Sequence, residues 1–411
     1  MDEATLHELL SGRRRDVGAR LLRGGLQLAS WGYGAAMSLR NMAYDRAWLR
    51  IARVDVPVIS LGNITTGGTG KTPLAAWLAN WLTDSGRTPG LLSRGYRSLA
   101  RAGEAPAEPL RLPVSPNKTA WQEPRPPAAV NSANDEKLVL DRLCPGVPHL
   151  QQRDRVSAAR RLVNEHGCNT LILDDGFQHR RLHRDLDLVL IDALQPWGYG
   201  HLLPRGLLRE PLSALRRADL VLLTRADQIS TEQRGLLLDQ LARVRGTDEC
   251  VEIAFAPRRL IGLQGEVLPL ETVTGRTVFA FCGIGNPQGF VRTVSALERI
   301  PGRSVSLSDQ TRISESIGDE EGRDATLTNR VRVFPDHHHY TDRDLDAVAD
   351  AARRAGAEIV LTTLKDFVKL RPETWHGPPL YAVEVGVEFL SGNGLLESRL
   401  QQLSCLHQRA A

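Results

Sequence analysis

Apolar residues along this chain come in short blocks. From Val54 onward, runs at 56–61, 88–92, 170–173, 186–191 and 220–223 are each bounded by segments of helical pattern, the first of them at 73–82. Short apolar strands alternating with helices predict an α/β fold built on a doubly wound parallel sheet. Residues 251–267 read as two strands around a turn. A second α/β run begins at 278–281, and another short buried strand is expected within 358–362. The pattern before Val54 is different. Residues 17–53 interleave Leu, Trp31, Tyr33, Met37, Met42, Tyr44 and Trp48 with spaced arginines, as in a basic amphipathic helix. Such a helix either lies in a membrane interface or packs its apolar face on the domain behind it.

These textures divide the chain. Residues 1–53 are expected to form a basic amphipathic N-terminal membrane-associating segment, and 54–251 a core domain. A two-stranded hinge spans 252–276, and 277–411 form a second, smaller α/β domain. Seven of the 23 prolines fall in 104–128, which marks a Pro-rich insertion, and 304–330 is a polar insertion rich in Ser, Thr and acids. A length of 411 residues suits two or three domains, and 42% hydrophobic with 24% charged residues is ordinary for a folded globular protein.

Charge sharpens the picture at one end only. The net formal charge is +4, too small for a chain that coats nucleic acid, so no nucleic-acid partner is expected. Residues 1–53 carry nine arginines against five acids, which accounts for the whole surplus. The longest uncharged stretch there, 24–39, has 16 residues and four glycines. That is short of the ~20 apolar residues a spanning helix needs. Five scattered cysteines (Cys144, Cys168, Cys250, Cys282, Cys405) without CxxC spacing argue against a disulfide framework or zinc site and for a reducing compartment.

The strongest chemical signal is Gly62-Asn-Ile-Thr-Thr-Gly-Gly-Thr-Gly-Lys-Thr72, placed after one strand and before a helix. A Gly-rich turn feeding a helix N-terminus closes backbone N–H groups around phosphate oxygens. The nucleotide cradle is thus expected at Thr65, Thr66, Gly67, Gly68, Thr69, Gly70, Lys71 and Thr72. Lys71 would reach the β/γ phosphates and Thr72 would place a hydroxyl on Mg²⁺. Thr65 stands where the strict pattern wants glycine, so this is a variant P-loop. Lysine is scarce, five residues against 47 arginines, which makes Lys71 unlikely to stand there by accident. Leu171-Ile-Leu-Asp174-Asp175 is an apolar strand ending in two carboxylates, the way a metal-binding acid is aimed beside a P-loop. Together they predict a P-loop NTPase-like fold with an ATP and Mg²⁺ site. They leave the acceptor open.

Further strings resemble one family, the tetraacyldisaccharide 4'-kinases that phosphorylate the lipid A precursor. They are Val58-Ile-Ser-Leu-Gly-Asn-Ile-Thr65 running into Gly-Gly-Thr-Gly-Lys-Thr-Pro73, Ser93-Arg-Gly-Tyr96, Asn134-Asp-Glu136 and Asp154-Arg155. Asp174-Asp-Gly-Phe-Gln-His179, Leu203-Pro-Arg-Gly-Leu-Leu-Arg-Glu-Pro211, Gly285-Asn-Pro287, Asp336-His337 and Lys365-Asp366 follow in the family's order. The resemblance covers roughly 54–370, apart from the two insertions. It implies ATP-dependent transfer of a γ-phosphate to the 4'-hydroxyl of a tetraacyl-disaccharide 1-phosphate, by an enzyme peripheral on the cytoplasmic face of the bacterial inner membrane. It further implies Asp135 as the base, His337 as its partner across the cleft, and Arg155 and Arg209 on phosphate oxygens. Glu136, Asp174, Asp175 and Glu210 are implied as the metal shell. The chain departs from the family where Lys137 replaces a proline and Leu364 replaces a glutamate.

From chemistry alone, Asp135 reads first as the cap of a helix starting near Glu136, and Arg155 and Arg209 read as ordinary surface arginines. His337, His338 and His339 read as loop histidines, because three adjacent rings cannot face one ion. A regulatory GTPase or ATPase switch without a lipid acceptor is the competing function. Its support is Leu223-Thr-Arg-Ala-Asp227, whose Asp227 resembles a guanine-reading residue or, more plainly, the start of a helix over 229–243. A module that binds membranes and uses nucleotide only structurally is opposed by Lys71, Thr72 and Asp174.

Overall fold

The computed structural model describes residues 3–94, 135–298 and 330–408. The insertion 104–128 and all of 304–330 except Arg330 lie outside the described residues, as do Gly95, Tyr96 and Asn134. The described residues form twelve strands: β1 (Val58–Asn63), β2 (Pro89–Ser93), β3 (His149–Gln151), β4 (Thr170–Asp174), β5 (Leu186–Asp192), β6 (Leu220–Thr224), β7 (Cys250–Gly262), β8 (Val267–Leu268), β9 (Val278–Cys282), β10 (Val331–Val333), β11 (Ile359–Thr363) and β12 (Leu380–Ser391). The helices are α1 (Glu3–Ser11), α2 (Val17–Asp45), α3 (Lys71–Asp84), α4 (Asp135–Leu143), α5 (Arg155–His166), α6 (Thr231–Arg245), α7 (Pro287–Leu297), α8 (Asp342–Arg354), the short α9 (Leu364–Phe367) and α10 (Asn393–Gln408).

All twelve strands join one sheet in the order β10-β9-β11-β12-β7-β6-β5-β1-β4-β2-β3, with β8 paired to β7. Its ladders are parallel except β7–β12 and β7–β8. Period-two alternation sends successive side chains to opposite faces. Leu188 and Leu190 therefore face α3 in one core, while Val189 and Ile191 face α6 in another. The same alternation divides β9, with Phe279 and Phe281 toward α8 and Val278 and Ala280 toward α7.

Local signals set the helix ends. Asp154 caps α5 and Gly167 closes it in a left-handed conformation. A capping box of Ser230 and Gln233 starts α6. Asp227 thus does not head that helix; it sits in a separate single turn, Ala226–Gln228.

Two departures from the expected division concern β12 and α10. Strand β12 runs antiparallel along β7 from Tyr381↔Gly262 to Ser391↔Glu252, so the segment drawn as a two-stranded hinge has a third, longer partner. Helix α10 falls in the region assigned to the smaller domain, yet Leu396, Leu400 and Leu403 pack in one cluster with Leu61, Leu74 and Leu78 of the P-loop half. Among the described residues, no helix is long and apolar enough to cross a membrane.

Candidate active site

The P-loop occupies the link from β1 to α3. All six residues of β1 are buried. The loop is pinned by Thr66 N–H to the Leu207 carbonyl (2.8 Å) and by Asn63 Nδ2 to Thr69 Oγ1 (3.3 Å). Thr65 bridges to Leu208. Gly70 is required by its backbone, φ 84°, and by space, since a Cβ there would lie 2.0 Å from Phe255 Cζ. Arg225 donates to the Gly68 carbonyl (2.8 Å) and pairs with Asp192, tying the loop to the ends of β5 and β6.

Beside the loop, β4 delivers Asp174 and Asp175. The turn after them closes on β1, with Gly176 N–H on the Leu61 carbonyl (2.9 Å) and Gln178 Nε2 on the Asn63 carbonyl (2.8 Å). Lys71 Nζ lies 3.4 Å from Asp175 Oδ1, and Arg209 Nη1 reaches both Asp175 oxygens at 2.9 and 2.8 Å. Burial pushes Asp175 up, but Lys71 and Arg209 outweigh it and hold its carboxyl below the ordinary value. Asp174 goes the other way. Burial pushes it up to about 7, with Lys71 opposing and Glu136 and Asp175 adding to the rise.

Among the described residues no three His, Cys, Asp or Glu side chains converge as a metal cage. Magnesium needs none, because it binds through one or two carboxylates plus phosphates and water. A buried carboxylate whose anion is penalised, within electrostatic reach of Lys71, Glu136 and Asp175, suits such a cation. Glu210, expected in the same shell, engages one of its two oxygens elsewhere, and its buried Oε1 has no hydrogen-bond partner among the described residues. Its Oε2 accepts from Asn41 Nδ2 (2.7 Å) on α2 and from Arg217 Nη2 (2.9 Å), so it anchors the N-terminal helix. Arg155 is buried in the first turn of α5. It helps depress His179, whose pKa burial and then Arg155 lower to about 4.

The second half of the site is built by α4 and the segment that follows β10. Asp135 opens α4, a helix that puts Val139 into the C-terminal core and Leu140 into the P-loop core. His337, in a left-handed conformation (φ 59°), brings Nδ1 to 3.0 Å from Asp135 Oδ2. His337 and His338 take different partners: His338 Nε2 turns to Asp344 Oδ2 at 3.2 Å. Lys365 Nζ lies 2.8 Å from Asp336 Oδ1 and 3.4 Å from His337 Nε2. Lys369 Nζ lies 3.5 Å from Asp135 Oδ2. Burial raises Asp135, but Lys369, His337 and Lys365 together leave it below its ordinary value. Sequence reasoning missed Lys369; the scarcity of lysine was the signal that pointed to it.

Helix α2 docks through polar contacts. Ser30 Oγ donates to the Leu202 carbonyl (3.0 Å), Tyr33 Oη to the Arg209 carbonyl (2.9 Å) and Arg40 Nη2 to the Gln178 carbonyl (2.7 Å). Its apolar residues Val17, Leu21, Leu28, Trp31 and Leu39 are exposed.

Comparison with known proteins gives one consistent result. The family model described as tetraacyldisaccharide-1-P 4'-kinase matches residues 22–329 and 321–404. The tetraacyldisaccharide 4'-kinase of Anaeromyxobacter dehalogenans (strain 2CP-C) is 41% identical over 381 residues, 91% of this chain and 89% of its own. That of Syntrophus aciditrophicus (strain SB) is 37% identical over 361 residues, 84% of each chain. Among solved structures, LpxK from Aquifex aeolicus, an "apo" form in complex with ATP, aligns with a TM-score of 0.64 at 27% identity, covering 93% of this chain and 99% of that one.

Proposed function

Because the chain belongs to the tetraacyldisaccharide-1-P 4'-kinase family, we propose that its two half-sites carry out that phosphoryl transfer with ATP as donor. The acceptor is the 4'-hydroxyl of a tetraacyl-disaccharide 1-phosphate, the lipid A precursor. The observation that carries the reading is the Asp135–His337 contact of 3.0 Å, in which Asp135 opens α4 next to Glu136, a residue that acts electrostatically on Asp174 at the P-loop. A switch that only hydrolyses nucleotide has no need of such a pair.

In the reaction the hydroxyl oxygen attacks the γ-phosphorus and the bond to the β–γ bridging oxygen breaks. The hydroxyl proton passes to Asp135, and His337 orients that carboxylate and shares the proton. Transfer of this kind has a loose transition state, so positioning and charge neutralisation supply most of the rate. Lys71 and Arg209, which now share Asp175, are the cations a triphosphate competes for, and Arg155 is the second arginine assigned to phosphate oxygens. The loop residues 65–72 wrap the phosphates. Asp174, Asp175, Glu136 and Thr72 are the residues that would hold a magnesium ion, which would neutralise charge on the phosphates.

The acyl chains of the acceptor call for an apolar platform. We assign it to α2, whose exposed apolar residues and neighbouring arginines suit an anionic membrane surface. The enzyme is accordingly placed as a peripheral protein on the cytoplasmic face of the inner membrane. The deciding assay is transfer of radiolabelled γ-phosphate from ATP to purified tetraacyl-disaccharide 1-phosphate. The wild-type chain should label the lipid, and Lys71→Ala should lower the rate by at least about a hundredfold. Label released only as free phosphate, or an undiminished Lys71→Ala, would overturn the reading.

A further inference from the structure

Lysine is the rarest cationic choice in this chain, five residues against 47 arginines, and three of the five (Lys71, Lys365, Lys369) surround the candidate site. Lys369 is the most buried of these, with its side chain 7% exposed. Its ammonium lies 3.1 Å from Asp366 Oδ1, 3.1 Å from the His338 carbonyl and 3.5 Å from Asp135 Oδ2. Three acceptors around one compact three-donor group suit an ammonium, whereas a planar guanidinium fork does not fit that arrangement.

Two of these acceptors belong to the C-terminal half and are rigidly placed. Asp366 is fully buried and accepts from Gly283 N–H (2.9 Å) and Thr363 Oγ1 (2.7 Å), which joins the end of β9 to α9. The third, Asp135, belongs to α4. Both of its cross-half contacts, His337 Nδ1 and Lys369 Nζ, fall on the same oxygen, Oδ2. We propose that Lys369 is a positioning residue for the transfer. Anchored on Asp366, it fixes Asp135 through Oδ2 and so presents Oδ1 to the incoming hydroxyl, a role His337 does not fill alone. The charge reaches Asp135 only when α4 and α9 are packed together, which couples the contact between the halves to the orientation of the base.

The inference rests on reading Asp135 as the proton acceptor, and a double-mutant cycle separates the two. Lys369→Met keeps the length of the side chain and removes its charge. It should lower kcat about tenfold while leaving KM for ATP within about twofold, since Lys369 does not touch the P-loop. In an Asp135→Asn background the same substitution should cost nothing further, because no carboxylate is left to position. An equal loss in both backgrounds, or none in the wild-type background, overturns the role of Lys369. A wild-type kcat in Asp135→Asn overturns the base assignment instead. Melting temperatures accompany each variant. Should Lys369→Met fail to fold, Asp366→Asn removes the anchoring charge in its place. Its kcat loss should likewise vanish in the Asp135→Asn background, and a loss that persists there overturns the proposal.

Discussion

Asp174 and Asp175 are adjacent, chemically identical and electrostatically opposite. The sequence announces both as carboxylates ending an apolar strand and has no means of separating them. The difference arises from backbone and neighbours: Asp175 adopts φ 50°, and cations from two other segments, Lys71 and Arg209, meet its carboxylate. Asp174 stays buried with its pKa pushed up to about 7. A carboxyl whose folded pKa exceeds its unfolded 3.8 holds its proton more tightly when folded. Its contribution to stability is full below 3.8, declines as pH rises toward about 7, and stays lost above that. Asp174→Asn should therefore stabilise the ligand-free protein at pH 8, by something on the order of a few kcal/mol, with the gain fading toward pH 4. The same change should abolish transfer, because stability here is given up for function. Thermal melts at the two pH values check this, and a lower melting temperature at pH 8 would contradict it. Spacing alone was enough to single out Lys71, Thr72 and Asp174 as candidates, because they lie within one motif or at one strand end. It could not pair Asp135 with His337, which are 202 residues apart. Only the family resemblance joined them, and it passed over Lys369.

At the level of elements, the fully buried strands were the legible ones. β1, β2, β4, β6 and β9 are buried along their whole length, and each carries a short block of apolar residues, interrupted in β1 only by Ser60 before its end. β3 and β10 have three residues each, too few to show a period. β12 mixes buried with half-exposed positions over 12 residues and has no such run. α2 is the instructive helix. Its amphipathic pattern was visible, but which face the protein takes was not. The structure shows the polar contacts turned inward, through Ser30, Tyr33, Arg40 and Asn41, beside half-buried Leu26, Met37 and Met42, while Val17, Leu21, Leu28, Trp31 and Leu39 face outward. Replacing Leu21, Leu28, Trp31 and Leu39 with Ser should consequently leave the melting temperature nearly unchanged, each exposed site costing no more than about 0.5 kcal/mol. Recovery on vesicles containing anionic lipid should fall sharply. Flotation assays decide the matter: full recovery of the substituted chain would remove α2 as the membrane-facing element, and a collapse in stability would mean that its apolar face is covered.

The whole molecule is held together more thoroughly than a two-domain outline suggests. One sheet runs through both halves, with β7 pairing in parallel to β6 over its first residues and antiparallel to β12 over the rest. Strand β12 then carries the chain back across the boundary, so that α10 packs against the P-loop half. Leu400 there is 2% exposed and shares a cluster with Leu61, Leu74, Leu190 and Leu222, while Phe389 stacks edge-on to Trp77 of α3 at 4.8 Å. The C-terminus of the chain thus supports the helix whose first residue is Lys71. Leu400→Ala should cost about 2–5 kcal/mol, as deletion of a buried leucine side chain does. The location of the damage is the sharper test. Amide exchange should accelerate first in β1, β5 and β6 and in α3, with β9 and β11 less affected, and ATP affinity should weaken because the P-loop rides on that core. Faster exchange confined to β9 and β11 would assign α10 to the C-terminal half, and the sheet would then divide where the composition of the chain placed its boundary.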